Sequence, residues 1–434
     1  MASWMHFENV SLKIDDMSYK NITYTTHHDL CTGCGVCEDA CPKKVISFVI
    51  DKGNFRPVVN EDICNSCGRC LNACPGVGFN FKKYHEEKLA EDATLHYDKM
   101  VGAYQKCFTG YSNEYDIRWH SASGGMVSQF LIWLLENDKI DGAVVTRFDR
   151  ENKLLVKCYI ARTREEVLAG RSSKYAPVTM AGMALAIKEA EGNRFVVVGI
   201  PCHIEGFRKL MTIDKRLREK IAGLFSIYCS SGRSFYLTEH VFKVRGINWK
   251  KLTYFQYRDE GCLGSMVATE ENKTHKELFQ SYYHPLRSFF VPRRCLFCID
   301  HYGEVGDICF GDIHIPPFSD DKVGLNSIVV KDSQWLSLLE ECGKSGAVTL
   351  TEIPFGTVSD SQKMSFKKKG RNGAFVNWNK KLGKRVPQYD VDYLRQPTKH
   401  DILDWYQNRF QQFLGSHKSL WWLVNKLQSK VRIH

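Results

Sequence analysis

Short apolar runs recur through the middle of the chain, from about residue 100 to residue 345. Gly142–Phe148, Gly223–Tyr228 and Ser327–Val330 have the length and composition of buried strands. Phe195–Ile200 contains no polar residue, which is typical of a parallel strand buried on both faces, and Pro201 ends it. This part of the chain therefore predicts a sheet with parallel strands.

Helical segments separate these strands. Met126–Glu136 is a mostly apolar helix, and Thr179–Glu191 also has a helical sequence. Strands and helices that alternate at this spacing predict an α/β layer fold.

Residues 20–82 have a different character. Eight of the 17 cysteines of the chain lie between Cys31 and Cys74, so we expect a small module in which cysteines replace a conventional core. The charged segment 83–99 is predicted to be a helix or a linker. The first residues contain acids and no apolar signal segment, so we expect a cytoplasmic protein, in which clustered thiols bind metal or perform redox chemistry.

The end of the chain is basic. Residues 361–434 have a net charge of +12, whereas the whole chain of 434 residues has +11. Ser419–Val431 places four apolar side chains on one helical face, namely Leu420, Val424, Leu427 and Val431. That face suits a membrane surface or a partner, or packing on the chain itself with the lysines in solvent. No base-reading motif accompanies the charge, so we do not expect nucleic-acid binding.

Two C-x2-C-x2-C-x3-C-P motifs carry the clearest chemistry. The first consists of Cys31, Cys34, Cys37, Cys41 and Pro42; the second consists of Cys64, Cys67, Cys70, Cys74 and Pro75. Three thiolates on a tight loop bind one 4Fe–4S cluster, and the fourth reaches the other cluster. We therefore predict one cluster on Cys31, Cys34, Cys37 and Cys74, and another on Cys64, Cys67, Cys70 and Cys41.

Zinc or structural disulfides are the alternatives to these clusters. Zinc sites use four ligands with a longer gap between two pairs, which the tandem motifs match poorly. The module is similar to the bacterial dicluster ferredoxin domain, and both motifs match it completely.

Other candidate residues are spread over the larger domain. Cys202 and Cys229 each follow a strand, and Cys295 and Cys298 form a C-x2-C pair. These four cysteines are either ligands of one further cluster or unrelated core residues. Ser123, Gly124 and Gly125 form a turn before a helix, whose free N–H groups suit a phosphate, and Lys174 adds a positive charge.

Taken together in their order along the chain, these motifs resemble the coenzyme F-420 hydrogenase/dehydrogenase β subunit family. This family includes plant 7-hydroxymethyl chlorophyll a reductase. The matching segments are Gly199-Ile-Pro201-Cys202-His203, Ser172-Ser173-Lys174-Tyr175, Cys295-x2-Cys298-x-Asp300 and Gly306-Asp307-Ile308-x2-Gly311-Asp312. We expect the chain to divide into residues 20–82 (ferredoxin module), 100–190 and 191–345 (the two parts of the β subunit domain that the resemblance implies) and 346–434 (a basic, partly helical extension).

The resemblance also implies two cofactors in the larger domain. A third 4Fe–4S cluster is expected on Cys202, Cys229, Cys295 and Cys298. FAD is expected near Ser123, Gly124, Gly125, Ser172, Ser173, Lys174, Tyr175, Gly199 and Pro201. The fold class is thus an α+β ferredoxin-like dicluster module fused to an α/β flavin-binding domain with a helical, basic C-terminal extension.

Three positions depart from the family pattern. His203 replaces the usual glutamine, and Ser172 stands where the family has a glycine. Cys309 is an additional cysteine, either an alternative cluster ligand or a buried free thiol. His301 is a candidate proton donor near the flavin.

These expectations lead to two functional hypotheses. The first is a flavin-dependent iron–sulfur oxidoreductase that exchanges electrons with a redox protein such as ferredoxin, or with a reduced deazaflavin, and acts on a small-molecule substrate. Arg171, Lys174, Arg293 and Arg294 are candidates for binding an anionic substrate. The second is a non-catalytic relay subunit that docks to a larger complex or a membrane through its basic tail.

Overall fold

The structure is a computed structural model that describes residues 20–286 and 288–429. The cysteine-rich module comes first along the chain. It has very short helices around its cysteine loops and one hairpin. Its elements are α1 (Thr23–His27), α2 (Val36–Asp39), β1 (Ile46–Asp51), β2 (Asn54–Val59), α3 (Arg69–Asn72) and β3 (Gly78–Phe79). A connecting segment follows, with α4 (Phe81–Glu91), β4 (His96–Asp98) and β5 (Gly102–Tyr104).

The larger domain begins at residue 106. Its first half contains β6 (Lys106–Ser112), α5 (Tyr115–Trp119), α6 (Met126–Glu136), β7 (Gly142–Phe148), β8 (Val156–Ala161), α7 (Arg164–Ala169), α8 (Met183–Glu189), β9 (Phe195–Gly199), α9 (Pro201–Ile213) and α10 (Lys215–Lys220). Its second half contains β10 (Ile221–Ile227), α11 (Phe235–Arg245), β11 (Leu252–Asp259), β12 (Ser265–Glu270), β13 (Lys273–Leu278), α12 (Phe279–Leu286), β14 (Ile308–Asp312), β15 (Asn326–Val330), α13 (Ser333–Lys344) and β16 (Val348–Glu352).

Eight of these strands form one mixed sheet in the order β16-β6-β15-β14-β10-β9-β7-β8. The central strands β14, β10, β9 and β7 are parallel to one another, and the outer strands are antiparallel to their neighbours. The four predicted strands and the helix Met126–Glu136 are therefore confirmed, with β10 beginning two residues earlier than predicted. The three-stranded sheet β11-β12-β13 was not predicted, and β16 carries the main sheet past residue 345.

The two faces of the main sheet pack differently. On one face, Phe225 stacks on Phe130 with ring centroids 5.8 Å apart and meets the edge of Trp335 at 4.8 Å. On the other face, Val197 and Phe207 share an apolar cluster with Val36 of the cysteine-rich module. The module is thus packed into the core of the larger domain.

The C-terminal region is largely helical. Its elements are α14 (Phe355–Ser361), α15 (Lys363–Lys367), a π-helical segment (Lys368–Asn372), α16 (Gly373–Lys381), β17 (Gln388–Tyr389), α17 (Lys399–Ser416) and α18 (Trp421–Ser429). In α18, Trp421 and Val424 are buried on the chain's own body, and Trp421 lies against Phe290. Trp422 remains exposed, and Val431 lies outside the described residues.

Helix α17 presents an apolar stripe on its outer face. Its members are spaced at three and four residues and are all exposed: Leu403, Tyr406, Phe410 and Phe413. Among the described helices, none is both long enough and apolar enough to cross a bilayer.

Candidate redox site

The first cysteine motif folds as a tight loop that enters a short helix. Gly35 adopts a φ of +94° immediately before α2, and Gly68 adopts +73° at the equivalent position before α3. Only glycine adopts this left-handed conformation without steric cost. Backbone N–H groups point at the sulfurs: Gly33 N lies 3.3 Å from Cys31 Sγ, and Gly76 N lies 3.2 Å from Cys74 Sγ. Such N–H···S bonds are typical of iron–sulfur ligands.

The fourth cysteine of each motif lies with the other motif. Burial raises the pKa of the Cys34 thiol to about 12, and the nearby Cys74 sulfur contributes to the rise. Cys41 lines a small cavity together with three cysteines of the second motif, which are Cys64, Cys67 and Cys70. The structure thus brings Cys74 close to the first motif and Cys41 close to the second.

Helix α9 joins the cysteine-rich module to the larger domain. Lys209 Nζ donates to Cys74 O at 2.7 Å and to Gly78 O at 3.1 Å. Arg294 Nε donates to Gly76 O at 3.1 Å, and Met180 N donates to Cys34 O at 2.8 Å. These contacts hold the module against the larger domain through Cys34 of the first motif and through the end of the second motif, from Cys74 to Gly78.

The four scattered cysteines converge at this junction. Cys202 lies in the first turn of α9, directly after β9, and Cys229 follows β10. Cys295 and Cys298 lie on the turn at 293–298. Burial raises the pKa of Cys202 well above its ordinary value, and Cys34, Cys229 and Cys298 contribute, so these sulfurs are close enough to interact. Cys202 is therefore near Cys34 of the module and near two of the other three cysteines, Cys229 and Cys298.

The spacing of these groups does not suit a single ion. Among residues 20–286 and 288–429, no three histidine, cysteine or carboxylate side chains are grouped so as to hold one metal ion, as zinc ligands are. All of the described cysteines are free thiols. A four-iron cluster separates its ligands more widely than one ion does, because each cysteine binds a different iron.

The C-terminal region completes this group of cysteines, which the sequence did not suggest. Lys368 Nζ donates to Cys229 O at 2.7 Å, and Asn372 Nδ2 donates to Cys298 O at 2.8 Å and Cys295 O at 3.2 Å. Both side chains are buried. They come from a segment more than 60 residues beyond Cys298, and no local motif marks them.

A large cavity lies on the other side of the cysteine group. Its volume is about 1450 Å³, and Cys229 and Cys295 form part of its wall. It opens where β9, β10 and β14 end, at the carboxyl edge of the parallel strands, where α/β proteins usually bind ligands.

Most of the predicted cofactor-binding residues line this cavity. They are Ser123, Gly125, Ser172, Ser173, Lys174, Tyr175 and Gly199. Gly124 and Pro201 do not line it. Gly124 instead packs against the sheet, since a Cβ there would lie 2.6 Å from Gly110 O, and Pro201 begins α9.

The loop 170–175 is held by its own lysine. Lys174 Nζ donates to Gly170 O and Arg171 O at 2.6 Å and to Ser172 O at 3.0 Å. Burial and the neighbouring Arg171 lower the pKa of Lys174 to about 7. Ser172 adopts a φ of +68°, the left-handed conformation that the glycine of the family pattern favours. Lys174 thus shapes the loop instead of extending into the cavity as a phosphate ligand.

The other predicted anion-binding residues divide between two places. Arg171 lines the cavity and pairs with Asp116 at 2.9 Å. Arg293 pairs with Asp29, and Arg294 binds the backbone after Cys74, so both belong to the module junction. Sequence reasoning missed Arg258, which lines the cavity and forms a buried ion pair with Asp312 at 2.7 Å.

His301 lines the cavity, but it is unsuited to proton donation. Gln362 Nε2 donates to Asp312 O. The Oε1 atom of Gln362 therefore accepts from His301 Nε2 at 3.0 Å. Burial lowers the pKa of His301 to about 3, so the imidazole is neutral at physiological pH. His203 is similarly neutral, with burial lowering its pKa to about 4.

Comparison with known proteins places these features in one family. Residues 107–185 match the profile described as "Coenzyme F420 hydrogenase/dehydrogenase, beta subunit N-term", and residues 192–354 match the profile of the C-terminal part of the same beta subunit. The chain belongs to the coenzyme F420 hydrogenase/dehydrogenase beta subunit family. Residues 30–77 match a 4Fe-4S dicluster domain, which contains all eight cysteines of the two motifs.

Several proteins related to this β subunit family member are known. It is 25% identical over 338 residues to the coenzyme F420-dependent sulfite reductase of Methanocaldococcus jannaschii, covering 75% of this chain and 48% of that protein. The chain therefore spans about half the length of that relative. It is 23% identical to the coenzyme F420 hydrogenase subunit beta of Methanococcus voltae, covering 66% of this chain and 99% of the relative.

One solved structure has a similar fold. It is a chain of the F420-reducing [NiFe] hydrogenase complex from Methanosarcina barkeri, with a TM-score of 0.53 and 18% identity. The match covers 68% of this chain and 98% of that chain. At this identity, the likeness concerns the fold alone.

Proposed function

We propose that this β subunit family member is an iron–sulfur flavoprotein oxidoreductase. Electrons pass between the dicluster module and an FAD in the large cavity, through a third 4Fe–4S cluster on Cys202, Cys229, Cys295 and Cys298. One observation carries the proposal: this group of cysteines lies between Cys34 of the module on one side and the cavity wall on the other.

The residues around the four cysteines suit an iron–sulfur cluster. Gly232 N lies 3.3 Å from Cys295 Sγ, in the same kind of N–H···S contact as in the dicluster module. Burial raises the pKa of Cys229 to about 12, so the thiol is protonated unless a metal supplies positive charge. The buried ammonium of Lys368 then faces the thiolates of the assembled cluster.

The cavity suits a large cofactor together with a substrate. Its volume of about 1450 Å³ exceeds the roughly 300–1000 Å³ of ordinary small-molecule pockets. A bound flavin exchanges hydride with a substrate and single electrons with a cluster. The chain supplies the surroundings: the Lys174 loop shapes one wall, and His301, whose backbone oxygen accepts from Cys229 N, lies in another part of the lining.

The basic side chains of the cavity outnumber its acidic ones and suggest a substrate class. The exposed Lys363 and Lys367 line the cavity, with Arg171 and Arg371 also in the lining. We infer a soluble anionic donor or acceptor of hydride. A deazaflavin fits this class, and the names of the relatives refer to coenzyme F420.

Iron and flavin analysis tests the proposal directly. After anaerobic purification, iron, acid-labile sulfide and released flavin are measured on one sample. We expect about 12 irons and one flavin per chain, since three four-iron clusters are proposed. About 8 irons and no flavin would contradict the enzymatic proposal.

Lys174→Met tests the cavity loop. The substitution removes three hydrogen bonds to loop carbonyls, so we expect flavin to bind at least roughly tenfold more weakly, with the iron content unchanged. Flavin retained after gel filtration gives the measurement. Lys215→Met removes an exposed lysine of α10 and serves as the control. Equal flavin loss in both variants would show that the loop contacts do not matter for binding.

A second candidate function is a relay subunit without catalysis. The exposed stripe on α17, with Leu403, Tyr406, Phe410 and Phe413, favours it because large exposed apolar patches often mark partner surfaces. In that case the chain passes electrons to a larger complex through its C-terminal region. Iron in the absence of flavin, together with a stable complex lost on removal of α17 and α18, is the result expected for the relay.

A further inference from the structure

The π-helical segment Lys368–Asn372 reaches the third group of cysteines from outside the matched family region, which ends at residue 354. A π-helical turn inside a helix is rare and commonly marks a functional position. Here the π-helical segment lies between α15 and α16. Lys368 contacts the loop after β10, and Asn372 contacts the turn at 293–298.

Lys368 is a buried cation whose hydrogen bonds go to backbone carbonyls. Its side chain is almost fully buried, and its Nζ donates to Cys229 O and Asp300 O. Among the described residues, no carboxylate oxygen forms an ion pair with it, whereas the adjacent Lys369 pairs with Glu304 at 2.5 Å. The carboxylate of Asp300 instead accepts from Gly303 N at 2.7 Å and Glu304 N at 2.9 Å.

A buried ammonium is costly unless negative charge lies near it. The Lys368 ammonium donates to backbone carbonyls of Cys229 and Asp300, next to the ligand cysteines, and the Asp300 carboxylate already accepts from two backbone N–H groups. A 4Fe–4S cluster with four cysteine ligands carries net negative charge, because the four thiolates outweigh the charge of the core. The ammonium therefore lies where such a cluster needs a counter-charge.

Asn372 ties the remaining ligands to the same segment. Its Nδ2 donates to both Cys295 O and Cys298 O, so one amide spans the C-x2-C pair. Lys368 binds the loop that carries Cys229. Three of the four cysteines are thus connected to one turn of the C-terminal region.

We propose that Lys368 and Asn372 are positioning residues of the third cluster, which hold its ligand loops, and that the charge of Lys368 raises its reduction potential. This inference rests on the proposed function, because it presupposes that the four cysteines bind a cluster. A positive charge beside the cluster stabilises the reduced form, which carries one more negative charge.

The test is a redox titration of the full-length holoprotein followed by electron paramagnetic resonance. The signal of the third cluster is assigned as the one that Cys202→Ala lacks. In Lys368→Met and Lys368→Gln, we expect the ratio of oxidised to reduced third cluster, at a fixed potential, to rise at least tenfold, which is about 59 mV for a one-electron centre. Lys368→Arg keeps the charge and should stay near the wild-type value, as should Lys380→Met, which removes an exposed lysine of α16.

Each outcome decides the proposal. An unchanged potential in both neutral variants, with the third cluster present, overturns it while leaving the proposed function intact. A wild-type protein with only about 8 irons overturns both, because the third cluster is then absent. If the neutral variants and Asn372→Ala are folded by circular dichroism but retain only about 8 irons, the positioning role is supported, since the ligand loops no longer hold the cluster.

Discussion

Cys202→Ala should reduce the iron content from about 12 to about 8 per chain and stop the reduction of the flavin by the dicluster module. Cys202 lies in the first turn of α9, and the interaction of its sulfur with Cys34 places it at the contact with the module. Without it, the electron path between module and cavity is interrupted. Iron analysis and stopped-flow reduction under anaerobic conditions measure both effects.

Cys309→Ala is the matched control for this substitution. Cys309 is also a buried cysteine of the larger domain, but its Sγ donates to Gly303 O at 3.2 Å and packs in an apolar cluster. Its loss should cost about 1 kcal/mol of unfolding free energy and leave the iron content unchanged. If Cys309→Ala lost the four irons and Cys202→Ala kept them, the assignment of the third cluster would be wrong.

Gly35→Ala should separate the cysteine-rich module from the larger domain. A Cβ at Gly35 would lie 2.2 Å from Ala181 N, 2.5 Å from Thr179 Oγ1 and 2.8 Å from Met180 N. Two of these atoms are backbone, so the segment has to move away from the module. With the left-handed φ of +94°, we expect a cost of about 3–5 kcal/mol. Limited proteolysis between the two parts should accelerate, and electron transfer to the cavity should fall.

The second cysteine motif provides the control for Gly35. Gly68 occupies the equivalent position with a φ of +73°, but a Cβ there has no neighbour within 4 Å. Gly68→Ala should therefore cost only about 1–2 kcal/mol of backbone strain and leave the module docked. Equal effects of the two substitutions would show that the contact with residues 179–181 does not hold the module.

Sequence reasoning succeeded where the chemistry is local. The spacing of the two cysteine motifs is a property of a few consecutive residues, and the 4Fe-4S dicluster match confirms the module. The strand Phe195–Gly199 was evident because a strand buried on both faces has an apolar sequence, and Gly142–Phe148 has a strand-like composition. The family was recognised from the order of motifs along the chain, one of which, Gly199-Ile-Pro201-Cys202-His203, begins at the end of the first of these strands.

The contacts of charged residues were less predictable. Arg293 and Arg294 were expected to bind an anion, yet they connect the larger domain to the module, and Lys174 binds three carbonyls of its own loop. A sequence shows that a residue is charged, but its partners depend on which chain segments the fold brings near it. The same holds for Ser172, whose left-handed backbone depends on the loop that Lys174 closes.

The sequence by itself thus determined the cysteine-rich module, the parallel strands and the family, because these depend on short-range spacing and periodicity. Only the tertiary structure decided that Cys202 faces the module, that Cys229 and Cys295 face the cavity, and that Lys368 is buried beside them. These relations join residues far apart in the chain: Cys34 and Cys202 are 168 positions apart, and Cys229 and Lys368 are 139 positions apart. They arise because parallel strands bring their carboxyl ends to one edge, and because a buried charge is stable only where the fold supplies an opposite one.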